Sequence, residues 1–470
     1  MCGVFGAYSK TDCVAEEVYL GLMALQHRGQ ESAGVAWIDG CGRVNVAKGM
    51  GLVHEALDQD SLSKTNVTSA IGHVRYSTAG GSMIQNAQPI CANYAQGPVA
   101  IAHNGNLTNL SDLRSSLENK GAIFQSTSDT EAILHLVAHQ PDKRPLDALL
   151  GALERVRGAF SLVVLLEDGV VAARDPWGFR PLVLGKRDGN YYISSESCAF
   201  SLIGATLVRD IEPGEVLLIN ENGLTSYRLD SKADRGWLCS FEFVYLARPD
   251  SVIEGKSVYK ARQEMGRKLA RDAGGEGCHV KGDSGAADFV AYLPDSGTTA
   301  AIGYAEESGI PFAAAVVRNR YVGRTFIQPT QRVRELGVRI KLSPSQDLFA
   351  GHRAILVDDS LVRGTTAGLV VSMIRECNAK ELHLRISSPP VRYPCYYGID
   401  TPSRGDLAAA KQSLDDIAAS IGADSLSYLS KDEMIEAIGL PGDRLCTACF
   451  DGCYLDGPAK RMACASCGNS

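Results

Sequence analysis

The chain has 470 residues, 45% hydrophobic and 21% charged, with a net charge of −7 and 14 cysteines. Its length exceeds one ordinary core and points to two or three folded units, and the acidic balance disfavours a nucleic-acid partner, which needs surplus Lys and Arg to neutralise phosphates. No run of about 18 apolar residues is present to span a membrane and the start lacks a secretory pattern, so a cytoplasmic protein with no membrane partner is expected, its cysteines free, catalytic or metal-bound.

In chain order, Val4-Phe5-Gly6-Ala7-Tyr8 is a predicted strand directly behind Cys2. A helix is predicted over 130–139, where Ser128-Asp129-Thr130-Glu131 has capping-box spacing. Residues 159–166 read as a strand that turns at Glu167-Asp168-Gly169 into 170–173, and 214–219 with Asn222-Gly223 repeats that hairpin pattern. Hairpins mixed with helices indicate an antiparallel α+β unit. The polar stretch 230–236 reads as a linker. Strands over 289–293, 313–317 and 354–357 then alternate with helices over 299–308 and 366–377, the pattern of a parallel α/β sheet.

Several residues carry chemistry. A nucleophilic thiol needs a base and a place for the oxyanion. Loss of Met1 would give Cys2 its own base, an α-amine of reference pKa about 7.7–8.0 beside a thiol near 8.5; position alone favours a small buried residue. In 102–108, the Asn104 amide and Gly105 N–H can converge as two donors in a turn, and Asn-Gly equally favours a plain hairpin turn. Arg75, at the end of a predicted strand, suits either a substrate carboxylate or a surface ion pair. Asp129, in the first turn of its helix, suits a substrate ammonium or the helix dipole.

Met1-Cys2-Gly3-Val4-Phe5-Gly6, Gln26-His27-Arg28-Gly29-Gln30-Glu31-Ser32, Gly72-His73-Val74-Arg75-Tyr76-Ser77-Thr78, His103-Asn104-Gly105-Asn106 and Ser126-Thr127-Ser128-Asp129-Thr130-Glu131 occur in that order. Together they resemble the class II glutamine amidotransferase domain, an N-terminal-nucleophile (Ntn) glutaminase with αββα layers, over roughly residues 2–230. The resemblance implies that Cys2 attacks the glutamine amide, Arg75 and Asp129 hold the amino-acid end, and Asn104 and Gly105 form the oxyanion hole. The products would be a thioester, ammonia and then glutamate.

In 354–366 an apolar strand ends in Asp358-Asp359, and a loop with Arg363-Gly364-Thr365-Thr366 leads into a helix. Loop N–H groups and hydroxyls at a helix start can cradle phosphate, and paired acids suit ribose hydroxyls or hydrated Mg²⁺; the plain alternative is an acidic βα turn. The run resembles the phosphoribosylpyrophosphate signature of type I phosphoribosyltransferases, over about 250–450. By that resemblance Asp358 and Asp359 bind ribose and Mg²⁺, and Arg363, Gly364, Thr365 and Thr366 bind the 5-phosphate. The loop Leu293-Pro294-Asp295-Ser296-Gly297-Thr298-Thr299 would bind pyrophosphate, with Ser296 as a third Mg²⁺ contact. The basic stretch 318–332 reads as a lid, or as an exposed loop touching RNA.

The two halves in this order resemble the glutamine phosphoribosylpyrophosphate amidotransferase family. They divide the chain at 2–235, 236–455 and a cysteine-containing tail, 456–470. The resemblance implies transfer of ammonia to C1 of the activated ribose in purine synthesis, inhibition by purine nucleotides, and a homotetramer. Two rivals stand beside it. Glucosamine-6-phosphate synthase shares the glutaminase half, but the Asp358-Asp359 loop argues against it; a phosphoribosylpyrophosphate-sensing regulator leaves Cys2 without a task.

Cys446-x-x-Cys449 alone fits redox, zinc or chance. In the iron–sulfur branch of this family, ligands occur before a Phe-Glu-x-Val-Tyr segment, within Tyr-Pro-Cys-Tyr-Tyr-Gly, and in Cys-x-x-Cys-Phe. Those positions are Cys239, Cys395, Cys446 and Cys449, implying one [4Fe–4S] cluster. Cys464-x-x-Cys467 keeps a zinc site with Cys446 and Cys449 open, and Cys453 has no assigned role. Cys13, Cys41, Cys91, Cys198, Cys278 and Cys377 read as incidental. That branch usually carries a short propeptide, and here only Met1 precedes Cys2, so the cluster is not expected to be linked to self-cleavage.

Overall fold

The computed structural model describes residues 2–76, 81–229, 236–272, 287–321 and 331–455. The first half carries β1 (Gly3–Tyr8), β2 (Ser32–Ile38), β3 (Val44–Met50), β4 (Ser69–Arg75), β5 (Ile90–Tyr94), β6 (Gly97–Leu107), β7 (Gly158–Leu166), β8 (Gly169–Arg174), β9 (Val183–Arg187), β10 (Asn190–Ser194), β11 (Thr206–Asp210), β12 (Glu215–Asn220) and β13 (Gly223–Arg228). They form two antiparallel sheets, ordered β11-β9-β10-β1-β4-β2-β3 and β13-β12-β8-β7-β6-β5. Val4, Ala36, Ile71 and Ile193 of one sheet interdigitate with Ala100, Ala102, Val163 and Leu217 of the other. Helix Ala15–Ala24 packs on the outside of the first sheet through Val18 and Leu22. Helices Leu110–Glu118, Thr130–Ala138 and Pro145–Leu153 cover the second. The result is the expected αββα stack. It puts β1 in the middle of its sheet, held by β10 on one side and β4 on the other.

Beyond it come β14 (Leu238–Cys239), the hairpin β15 (Val252–Ile253) and β16 (Lys256–Ser257), β17 (Phe289–Tyr292), the ribbon β18 (Val316–Arg318) and β19 (Leu342–Pro344), β20 (Arg353–Asp358), β21 (Glu381–Ile386), β22 (Ser425–Tyr428) and β23 (Leu445–Cys446). Strands β17-β20-β21-β22 make a parallel sheet. Helices Val258–Asp272, Thr298–Ser308 and Lys431–Ile438 fill one face through Met265, Tyr304 and Met434. Helices Thr365–Glu376 and Leu414–Ile421 fill the other through Val370, Ile374 and Ile417. Burial on both faces accounts for the continuous apolar run Ala354-Ile355-Leu356-Val357.

Three local expectations fail. The 313–317 strand does not join the sheet. Only Pro311 and Ala313 bond to Val290, and Pro311, lacking an N–H, cannot extend that ladder; β18 turns away to pair with β19. Asn104-Gly105 is no turn, because β6 runs straight through it, pairing Asn104 with Ser161 and Gly105 with Phe160. The capping box at Ser128 and Glu131 does not form. Glu131 instead accepts from the N–H groups of Gln125 and Ser126, both at 2.7 Å. The linker 230–235, the centre of the basic stretch (322–330) and the tail lie outside the described residues.

Candidate active site

Cys2 lies at the mouth of β1, 8% exposed, its Sγ 3.5 Å from the Tyr76 carbonyl oxygen that accepts from it. Burial pushes the thiol above its ordinary range; Arg75 pulls it down and Asp129 pushes it up, so both charges lie within electrostatic reach of Sγ. A protonated thiol is a poor nucleophile, so attack by Cys2 calls for an adjacent base. Arg75, at the end of the neighbouring strand β4, is buried, and its Nη1 reaches Glu31 at 3.4 Å and the Gly81 carbonyl at 3.2 Å. Asp129 caps the start of helix Thr130–Ala138 but turns its carboxylate inward, accepting from Leu107 N–H at 3.0 Å. Burial opposes its ionisation, yet His103, Leu107 and Thr130 outweigh that and hold the carboxyl below the usual range.

Asn104 and Gly105 stand on the facing sheet. His73, paired with Val4 across the strands, has its Nε2 3.0 Å from the His103 carbonyl, so the two sheet ends are in register. Both polar atoms of the Asn104 side chain are buried and unbonded among the described residues. An orphaned buried amide costs about 1–3 kcal/mol, and such a group in a folded protein signals an absent partner. A Cβ on Gly105 would stand 2.0 Å from the Ala159 oxygen and 2.7 Å from His103 Nε2. Only glycine permits that backbone path.

The structure adds residues that sequence reasoning missed. Arg28 Nε donates to the Cys2 carbonyl at 3.0 Å. Its terminal nitrogens bind Glu196 and, at 3.0 and 3.1 Å, Glu242. Glu242 also accepts from Arg180 at 3.4 Å, and Arg180 donates to the Tyr397 carbonyl at 2.6 and 3.0 Å. All four charged side chains are fully buried. Burial works against both guanidinium charges, but the carboxylates around Arg28, and the Cys239 and Cys395 thiols with Glu242 around Arg180, hold each above its ordinary range. Arg28 belonged to a quoted motif; nothing in the sequence linked it to Glu242.

In the second half, Asp358 and Asp359 close β20, and both are buried. Asp359 N–H donates to Asp358 at 2.9 Å, and the Ser360 and Ser296 hydroxyls bond Asp359. Burial raises both carboxyls, and Asp359 raises Asp358 further. Two crowded carboxylates with a hydroxyl beside them are a hard-oxygen donor set that a divalent cation would relieve, so these residues fit Mg²⁺. Gly364, at φ +80°, turns the loop into helix Thr365–Glu376, leaving Arg363, Thr365 and Thr366 exposed at its start. Leu293 N–H bonds the Val357 carbonyl at 2.9 Å, which brings the 293–299 loop beside the acidic pair.

The cysteines converge as well. The β14–β23 register sets Cys239 beside Cys446. Cys395 packs against the cluster that holds Cys446, and burial raises the thiols of Cys239, Cys446 and Cys449, with Glu242 and Cys395 adding to it at Cys239 and the neighbouring cysteines adding to it at Cys446 and Cys449. Among the described residues no three His, Cys, Asp or Glu side chains form a compact single-ion site. A cubane binds each cysteine at a different iron, so its ligands stand farther apart than the donors around one ion. Two buried thiols, Cys239 and Cys446, with the half-buried Cys395 and Cys449, fit that larger, anionic group beside Arg180. Cys13 and Cys41 are exposed and Cys198 is buried away from this set; Cys278, Cys464 and Cys467 lie outside the described residues.

Comparison with known proteins follows the same lines. Residues 73–201 match the family described as a glutamine amidotransferase domain. The amidophosphoribosyltransferase of a Synechocystis strain is 47% identical over 459 residues, covering 96% of this chain and 90% of the relative. The B. subtilis glutamine phosphoribosylpyrophosphate amidotransferase complexed with ADP and GMP superposes with a TM-score of 0.87 at 43% identity, covering 97% of each chain. A structure described as the allosteric regulatory enzyme of purine biosynthesis gives 0.88 at 44%, covering 97% of this chain and 96% of the other.

Proposed function

The chain belongs to the amidophosphoribosyltransferase family, and on that premise we propose how its residues divide the work. The enzyme is a glycosyltransferase of purine biosynthesis: it takes ammonia from glutamine and places it on C1 of 5-phosphoribosyl-1-pyrophosphate, giving 5-phosphoribosylamine, glutamate and pyrophosphate.

Cys2 Sγ attacks the side-chain carbonyl carbon of glutamine. The α-amine freed by loss of Met1 takes the thiol proton and returns it to the departing ammonia. Negative charge on the carbonyl oxygen is met by Asn104 Nδ2 and Gly105 N–H, while Arg75 holds the substrate carboxylate and Asp129 its ammonium. Water then opens the thioester to glutamate. The observation that carries this assignment is the buried Asn104 amide without a hydrogen-bond partner among the described residues. Ammonia passes within the protein to C1, where Arg363, Gly364, Thr365 and Thr366 hold the 5-phosphate and Asp358 and Asp359 the ribose. Mg²⁺ on Asp358, Asp359 and Ser296 would neutralise the pyrophosphate leaving group. Cys239, Cys395, Cys446 and Cys449 would hold a [4Fe–4S] cluster as a staple outside the reaction. We extend the reading to domains at 2–235 and 236–455, a cytoplasmic homotetramer without a nucleic-acid partner, and inhibition by purine nucleotides, in keeping with the ADP and GMP bound to the B. subtilis relative.

Replacing Cys2 by Ala tests the two-site account. Glutamine-dependent pyrophosphate release should vanish and ammonia-dependent release should persist; loss of both in folded protein would sink it. Intact-mass analysis of the mature N-terminus is the companion measurement, because retained Met1 removes the amine base.

A further inference from the structure

Gly398 of the second half presses on Gly105 of the first. A Cβ on Gly398 would lie 2.8 Å from the Gly105 carbonyl carbon, 2.9 Å from its oxygen and 3.0 Å from its Cα, and Gly398 has φ +101°. Gly105 thus has both Ala159 of β7 and Gly398 pressed close to its backbone. The flanking residues fasten the same contact. Asn106 Nδ2 donates to the Tyr396 carbonyl at 2.9 Å, and Arg180 donates twice to the Tyr397 carbonyl. The Tyr397 ring stacks on Phe179 with centroids 4.1 Å apart, and Tyr397 N–H bonds Cys395 Sγ at 3.3 Å.

We propose that residues 396–398 are a positioning strap for the oxyanion donor at Gly105, with Gly398 setting the Gly105 peptide and Cys395 anchoring the strap from behind. An oxyanion donor works only within a few tenths of an ångström of its place, and removing one outright costs about 10²–10³ in kcat. The strap therefore makes the glutaminase depend on the second half even though every residue assigned to glutamine above lies in the first. The inference rests on the assignment of Cys2, Asn104 and Gly105 given above.

The test compares parent, Gly398→Ala and Asn106→Ala for glutamate release and for ammonia-dependent pyrophosphate release. Gly398→Ala forces the two backbones apart and should lower the kcat for glutamine about 10- to 100-fold, less than loss of a whole donor. The KM for glutamine should stay within about threefold, because Arg75 and Asp129 are untouched, and ammonia-dependent turnover within about twofold. Asn106→Ala adds no atoms and should show the same split at smaller amplitude; it decides the matter alone if Gly398→Ala does not fold. Parent-like kcat for glutamine, a change in KM alone, or a parallel fall of both activities would overturn the strap. A parent that releases no glutamate would overturn the Cys2 assignment, and the strap with it. A parent that does, beside variants that match it, overturns the strap alone.

Discussion

Replacing Glu242 by Ala should loosen the seam between the halves. Glu242 is fully buried and accepts from Arg28 at 3.0 and 3.1 Å and from Arg180 at 3.4 Å. Breaking a buried pair by removing one partner typically costs about 3–5 kcal/mol, because the remaining charge is stranded away from water. Arg28 keeps Glu196, and Arg180 keeps the Tyr397 carbonyl, so the low end, about 3 kcal/mol, is expected. For a unit of about 150–250 residues each kcal/mol shifts the melting temperature by about 2–4 °C, giving a drop of about 6–12 °C by calorimetry. The double variant Arg180→Met with Glu242→Leu leaves a balanced Arg28–Glu196 pair and fills the gap with apolar volume. It should melt no lower than Glu242→Ala. A single-variant loss below about 1 kcal/mol, or a double variant well below the single, would refute the view that stranded charge is what the seam avoids.

Asp175 gives a pH signature. It is buried, accepts from Phe160, Trp177 and Phe179 N–H groups, and burial lifts its carboxyl to about 6 despite Arg174 and those bonds. A raised carboxyl is protonated longer in the folded state than in the unfolded one, so its contribution to stability is present below pH about 4 and lost as pH rises to about 6, by roughly 3 kcal/mol at about 1.4 kcal/mol per pH step. In urea unfolding, the advantage of parent over Asp175→Asn should shrink across that window and then level off; a constant difference contradicts the assignment. Asp129→Asn should weaken capture of the substrate ammonium by about 1.5–3 kcal/mol, roughly 10- to 100-fold in kcat/KM for glutamine, with ammonia-dependent turnover spared; an unchanged kcat/KM would remove Asp129 from the site. Protein purified without oxygen should be brown, with iron and sulfide each near four per chain; colourless protein containing zinc would replace the cluster reading.

What could be read from the sequence were groups whose chemistry is peculiar to their type. Cys2, Arg75 and Asp129 sit on three different segments, and the fold brings both charged side chains within electrostatic reach of the thiol. Asn104-Gly105 favours a turn locally, but the ladder with β7 overrides that propensity. The continuous apolar run at 313–317 suits a strand, but such a short run does not distinguish a sheet strand from one of a two-strand ribbon. Glu242, Arg180 and Gly398 were invisible for a different reason. Their partners lie far away in sequence, 214 positions from Arg28 to Glu242 and 290 from Asn106 to Tyr396, and no local pattern encodes a contact between two separately folded sheets.

The short β14–β23 pairing has a consequence for how such a protein can be divided or inherited. Leu238 and Cys239 open the second half, Leu445 and Cys446 lie near its close, and Ser240 fastens the join by two bonds to the Cys446 carbonyl, at 2.8 and 3.2 Å. A fragment begun a few residues too late loses a strand, a thiol and that fastening at once, although it retains the whole of the 293–299 and 358–366 loops. Recombination that exchanged the ammonia-accepting half would have to import both ends of this clasp together. The crossover point compatible with a working hybrid is therefore confined to the few residues before Leu238, a much narrower window than a polar linker would suggest.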